Sequence, residues 1–485
     1  MEKRARQEQR TPNPSLAIVG AGIAGLTTAL TLQDAGFNCT IYEASERIGG
    51  RIHSDTTTWD DSLVTERCGE LIDRSQETLC SLIQRFGLQT TEQKQTNSPG
   101  APSIAYFLGH YYTLNEQDFQ PVYEIVRKQA QEAGYPTTCQ HYTATGYELD
   151  HLSAYDWIER YVEDGHNAPL GRLLETACSG LFGLESREQS SLNLVYLLGL
   201  QPPGQFVAGN AISRSFRIVG GNQRLPEAIA QSLPEESIRL QHRLIAIRRN
   251  SNESVTLTFE TGSGITEINC DHVVLTLPFS VLRHIDYRRA GFDELKQTAI
   301  TQLGYGTNSK LFLQFDNRYW REQGLWPKPN NGFITTDLDI RVLWDSTRGL
   351  ESEKGVLVSF TGGAVGAAYA PEKAYSTTDE SEKVREYVRR CLEQLEQVLP
   401  GIGAHYTGKA ALSYPTGDPY ALGSYSCWRV GQYTLFGGYE GVRQGPIHFA
   451  GEHCSVQAQG FMEGGAGEGM RVAHEILQDY GITPL

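Results

Sequence analysis

The residues whose types and spacing most plainly could do chemistry are three glycines and an acid. Residues 16–25 read LAIVGAGIAG: a short apolar run ends at Gly20, a turn carries Gly20, Gly22 and Gly25, and the apolar residues 27–32 open a helix. Strand, glycine turn and helix in that order build a cradle for a dinucleotide pyrophosphate. Gly20 permits the tight turn, Gly22 lets backbone N–H groups approach phosphate oxygens, and Gly25 lets the helix lie close on the strand. The helix N-terminus then faces the anion. Glu43 ends the next apolar stretch, CTIYE, near the spacing at which a carboxylate accepts the ribose hydroxyls of an adenosine and repels a 2′-phosphate. A lone GxGxxG can be a structural turn; the acid in register argues for the nucleotide.

Just downstream, EASERIGGRIHS sets Gly49 and Gly50 between Arg47 and Arg51, a second place where backbone amides and guanidinium meet phosphate. Here the chain resembles the flavin-containing amine oxidase superfamily, which includes monoamine oxidases, polyamine oxidases and L-amino acid oxidases. The resemblance implies tightly held FAD. It recurs in FRIVGGNQRLPEAIA, where a strand near Phe216 passes through Gly220 and Gly221 into a helix beginning near Leu225, and in the strand-like HRLIAIRR and HVVLTLP. The most specific match is IHFAGEHCSVQAQGFMEGGAGEGMRVAHEIL from Ile447. By resemblance, Glu452 lies near the ribityl and pyrophosphate portion, and the Met462 amide faces the N1/O2 edge of the isoalloxazine. A helix N-terminus aimed there would favour the negative charge that two-electron reduction places near N1.

The same resemblance assigns the catalytic side. Lys310, in SKLFLQF, corresponds to the family lysine that holds a water against flavin N5, although a lysine at a strand edge is ordinarily a solvated charge. Tyr425 in GSYSCW and Phe461 in GFMEGG occupy the two walls of the family's aromatic cage, which orients a neutral amine and excludes water. Phe461 stands where monoamine oxidases carry tyrosine, and Ser424 where they carry the cysteine that bonds to flavin, so the FAD is expected to be non-covalent. Trp428 is either cavity wall or core. No His or Glu stands out as a catalytic base. The arginine with which some L-amino acid oxidases pair the substrate carboxylate has no counterpart at the aligned position in ERCGELID, and Arg74 follows two places late. Glu70 and Asp73 could meet a cation, with a helix cap the more ordinary reading of Asp73.

Composition frames these motifs. The chain has 485 residues, 42 Lys plus Arg against 57 Asp plus Glu, and a formal charge of −15, which argues against nucleic acid or an anionic membrane as main partner. No segment approaches the roughly 20 apolar residues that span a bilayer, and no membrane anchor is read at either end. Nine cysteines without CxxC pairs or regular spacing read as reduced thiols in a cytoplasmic protein, and no metal site is expected.

A chain of this length is too large for one core. The expected class is α/β: a discontinuous Rossmann-like FAD-binding domain (16–73, 214–287 and 444–480) and a mixed α+β substrate-binding domain (74–213 and 288–443), after a disordered leader (1–15). Amphipathic helices are expected over 75–88 and 154–164, a charged helix over 381–399, and surface turns over 330–332 and 349–355. The resemblance implies an oxidase that converts the CH–NH2 group of an amine or L-amino acid to an imine, then to an aldehyde or 2-oxo acid plus ammonia, with O2 reduced to H2O2. A homodimer is compatible with the family. The alternatives are a flavin desaturase of the protoporphyrinogen-oxidase or phytoene-desaturase type acting on C–C bonds, and a non-catalytic flavoprotein interaction module.

Overall fold

The computed structural model describes residues 14–92, 103–112, 116–200, 215–324, 326 and 330–482. The expected leader lies outside them except for Pro14 and Ser15, whose backbone N–H donates to Asp271.

Segments distant in sequence meet in one five-stranded parallel sheet, in the order Ile447–Phe449, His272–Leu275, Leu16–Val19, Cys39–Tyr42, Ile238–Arg239. All four residues of Leu16–Val19 are buried, as a central parallel strand covered on both faces requires. The helix Ile23–Asp34 is apolar around most of its circumference because the long helix Met462–Asp479 closes over it. The two backbones approach closely: a Cβ on Gly469 would fall 2.2 Å from the Ala24 carbonyl oxygen, and Thr28 Oγ1 donates to the Gly469 carbonyl. Only glycine permits that contact, so the glycines of the C-terminal motif also serve helix packing.

A second sheet runs Gly264–Cys270, Val255–Thr261, Arg243–Arg249, Asp286–Arg289. HRLIAIRR therefore forms a strand of this separate sheet, whereas HVVLTLP contributes to the parallel one.

The largest sheet has eight strands: Tyr375–Thr377, Tyr406–Ser413, Ser309–Phe315, Gly355–Thr361, Val342–Asp345, Ile334–Thr336, Ile104–Phe107, His110–Tyr112. Its strand Ser309–Phe315 is an interior one, buried along its whole length. Leu311 and Leu313 face the helix Glu382–Val398, through Val384, Val388 and Leu395, while Phe312 packs on the other side with Trp59 and Trp344. That helix matches the expected charged helix, with Ser381 as its N-cap and its polar face in solvent. The helices Glu77–Arg85 and Ala154–Tyr161 fall where amphipathic spacing places them. A group of helices around Trp157 shares a further core.

One expected surface turn is not at the surface. Asn330 and Gly332 are buried, with the Asn330 side-chain amide donating to the Trp320 carbonyl and its oxygen accepting the Gly332 N–H. Polar turn residues are ordinarily solvated, but here the amide side chain satisfies backbone groups inside the core.

Candidate active site

One cavity of about 2390 Å³ runs from the glycine turn to the face of the eight-stranded sheet. At its first end Gly20 has φ +108°, and a Cβ there would lie 2.4 Å from Thr276 Oγ1. A Cβ on Gly25 would lie 2.0 Å from the Gly20 carbonyl oxygen, so Gly25 sets how closely the helix sits on the turn. Gly22 differs: nothing of the protein lies within 4 Å of its would-be Cβ, and it borders the cavity. Gly22 is the helix N-cap, makes no side-chain cap, and no acid occupies the first turn, which leaves helix N–H groups facing the cavity. The second glycine pair joins the first, since Gly49 N–H donates to the Ala21 carbonyl. The buried Glu43 carboxylate is aimed by two backbone donors, Ala21 N–H and Ser45 N–H, both at 2.8 Å.

Arg51 and Glu452 form an ion pair of 2.8 Å at the cavity wall. Glu452 also accepts from Ser426 N–H, Ser426 Oγ and Gly460 N–H. Burial works to raise this carboxyl, but the Arg51 charge, with His453 and the Ser426 hydroxyl, overcomes it and leaves it below its ordinary value. Glu452 thus binds three segments together and holds Arg51, which also donates to the Ser424 carbonyl. Met462 opens the helix Met462–Asp479, and its sulfur covers Gly69: a Cβ on Gly69 would fall 2.8 Å from Sδ.

At the other end of the cavity stands Lys310. It is 6% exposed on an interior strand, so the solvated-edge alternative does not hold. Its ammonium donates to Glu66 O at 3.0 Å, Cys68 O at 2.8 Å and Glu70 Oε2 at 2.9 Å. Three acceptors match its three N–H bonds. The other Glu70 oxygen accepts from Trp344 Nε1, and Arg217 lies 3.7 Å away. Of the two acids weighed as partners for a cation, Glu70 has one, in Lys310. Asp73 instead accepts from Ser75 N–H and Oγ in the turn before Glu77–Arg85, whose N-cap is Gln76. The donors of that helix are met from far away, because the Glu463 carboxylate accepts Thr78 N–H and Leu79 N–H. Neither this cap nor the buried Glu66, raised to about 7 by burial, was read from the sequence.

Tyr425 and Phe461 both line the cavity. The Tyr425 ring lies against Gly460 and its hydroxyl donates to the Leu181 carbonyl, whereas Phe461 is 59% exposed. Trp428 is at once core and wall: it is 7% exposed, packs on Tyr433 with ring centroids 4.8 Å apart, and borders the cavity. Leu173, Ala177, Phe182, Val342 and Trp344 add apolar surface to the cavity lining.

Among the described residues one group has metal-ligand composition, His272, His448 and Asp479, and it lies outside this cavity.

Gly22 open toward the cavity, the uncapped helix amides and the oriented Glu43 carboxylate could hold an FAD, with Gly20 and Gly25 shaping the turn and Arg51 and Met462 lining the cavity further along. Comparison with known proteins agrees. Residues 23–477 match the family described as flavin containing amine oxidoreductase. An L-amino-acid oxidase of Pseudechis australis is 26% identical over 489 residues, 96% of this chain and 88% of that protein. One of Vipera ammodytes ammodytes is 24% identical, covering 96% and 94%. Among solved structures, a redesigned putrescine oxidase triple mutant superposes with a TM-score of 0.80 at 21% identity, covering 96% of this chain and 99% of that one. Cyclohexylamine oxidase from Brevibacterium oxydans IH-35A gives 0.78 at 20%, covering 97% and 100%. The chain is a flavoprotein with an α/β fold and belongs to the flavin-containing amine oxidoreductase family.

Proposed function

We propose that the protein oxidises the CH–NH bond of a primary amine carried on an apolar body, with non-covalently held FAD and with O2 as acceptor, giving an imine and H2O2; hydrolysis of the imine then yields an aldehyde and ammonia. The observation that carries the reading is the state of the cations around the cavity. Arg47 donates to Ile48 O and Gly50 O, Arg51 to Glu452, Arg67 to Asp55, Arg243 to Glu260, and Lys310 to the acceptors above. Among the described residues, each lysine and arginine lining the cavity already donates to a protein acceptor, which favours a substrate without a carboxylate.

FAD, when bound, supplies the two-electron acceptor for hydride from the carbon bearing nitrogen. The chain's own residues do the rest. Gly22 and the first-turn amides of Ile23–Asp34 hold the pyrophosphate, and Glu43 accepts the ribose hydroxyls. Tyr425 and Phe461 flank the amine and limit its rotation. The apolar wall around them disfavours an ammonium, so the amine enters its neutral form and has a lone pair to give. Lys310, paired with Glu70, fixes the backbone of 66–68 through the Glu66 and Cys68 carbonyls.

A second reading, oxidation of an L-amino acid, is favoured by the curated relatives, which are L-amino-acid oxidases. Peroxide production measured for matched pairs, such as phenethylamine against L-phenylalanine and isoamylamine against L-leucine, separates the two. The proposal expects kcat/KM at least tenfold higher for the amine of each pair; preference for the amino acid in both pairs would replace it with the second reading.

A further inference from the structure

At the end of the parallel sheet away from the glycine turn, two histidines lie side by side. His272 opens the strand His272–Leu275, opposite Leu16, and His448 pairs in register with Val274 on the neighbouring strand. Alternation along the strand places His272 and His448 on one face. Their nitrogens His272 Nδ1 and His448 Nε2 are 3.1 Å apart. His448 Nδ1 lies 3.2 Å from Glu475 Oε1, which places the proton on Nδ1 and a lone pair on Nε2. His272 Nε2 lies 3.1 Å from the Tyr480 hydroxyl. Asp479, the last residue of the helix Met462–Asp479, is exposed, and one ligand atom each from His272, His448 and Asp479 lie within 4.8 Å of one another.

We propose that His272 Nδ1, His448 Nε2 and the Asp479 carboxylate bind one transition-metal dication of the zinc class, with water completing its shell. Two nitrogens bonded to one tetrahedral ion at about 2.0–2.1 Å stand about 3.3 Å apart, close to the spacing already present. The Glu475 carboxylate behind His448 is the outer partner that metal-bound imidazoles ordinarily have, fixing tautomer and ring orientation. Binding needs no net proton loss from the histidines: the His272 proton moves from Nδ1 to Nε2, where the Tyr480 oxygen accepts it. Asp479 must leave its ion pair with Arg443, at 2.6 Å, and swing inward, which an exposed side chain at a helix end can do. His272 is half-buried, so the ion has a way in. The site would fasten two strands of the cofactor-binding sheet to the end of the helix whose first turn borders the cavity.

The test titrates Zn2+ into the FAD-loaded protein by calorimetry, with His272→Gln and Asp479→Asn beside the wild type, and reads the zinc shell by X-ray absorption. His272 and Asp479 are chosen because buried His448 invites folding failure. The proposal expects one equivalent bound, at least tenfold weaker binding in each variant, a nitrogen/oxygen shell without sulfur, and metal-free thermal midpoints and flavin content like wild type. Equal binding in wild type and variants, a sulfur-containing shell from the cysteines, or no binding would overturn it and leave the cluster as a hydrogen-bond chain between Tyr480 and Glu475.

Discussion

Lys310 and Glu70 meet at 2.9 Å, with side chains 8% and 3% exposed. Charges so far from water are stable only as a pair, and breaking such a pair by removing one partner costs about 3–5 kcal/mol, because the other is left buried and uncompensated. Lys310→Met should destabilise the FAD-loaded protein by that order in urea unfolding. Adding Glu70→Gln to it should recover a large part of the loss. Additive losses from the two changes would mean that the pair is not coupled.

Gly22 and Gly25 should separate in their effects. Gly25→Ala forces a Cβ to 2.0 Å from the Gly20 carbonyl oxygen and should distort the turn itself, lowering stability and FAD retention together. Gly22→Ala meets no protein atom within 4 Å, so the apoprotein should keep its stability while FAD binds at least tenfold more weakly, about 1.4 kcal/mol. FAD titration of the two apoproteins with thermal melts checks this; unchanged affinity in Gly22→Ala would remove Gly22 from the cradle.

Phe461 is a cavity residue with little packing to lose. Phe461→Ala should change unfolding free energy by no more than about 0.5 kcal/mol, as exposed positions do. The loss should appear in kcat/KM for amines, by tenfold or more. A large stability loss with unchanged kinetics would assign Phe461 to packing.

Glu66 makes stability depend on pH. Burial raises its carboxyl from 4.5 to about 7. Between those values the folded chain holds a proton that the unfolded chain releases, so this contribution is full below about 4.5 and is lost as pH rises through about 7. Glu66→Gln should flatten that part of the stability profile, read by urea unfolding at several pH values; an unaltered slope would contradict the assignment.

What was legible in the sequence was local. Gly20, Gly22, Gly25 and Glu43 lie within two strands and a helix, and their order alone carries their geometry. The amphipathic helices were legible for the same reason. The contacts that organise the far end of the cavity span the chain: Lys310 reaches Glu70 across 240 positions, and Glu463 reaches Thr78 across 385. Nothing in SKLFLQF distinguishes an interior lysine from an edge one until the eight-stranded sheet surrounds it. Asn330 misled in the opposite way, since its polar side chain satisfies backbone in the core and not water.

In an amine oxidase the bound flavin accepts electrons from the amine. Stopped-flow absorbance of the FAD-loaded protein, mixed without oxygen with a panel of monoamines, diamines and the twenty L-amino acids, tests it directly. Apolar primary amines should bleach the flavin, and admitting O2 should restore its absorbance with formation of H2O2. FAD that stays oxidised with every compound, or is bleached by L-amino acids alone, would contradict this.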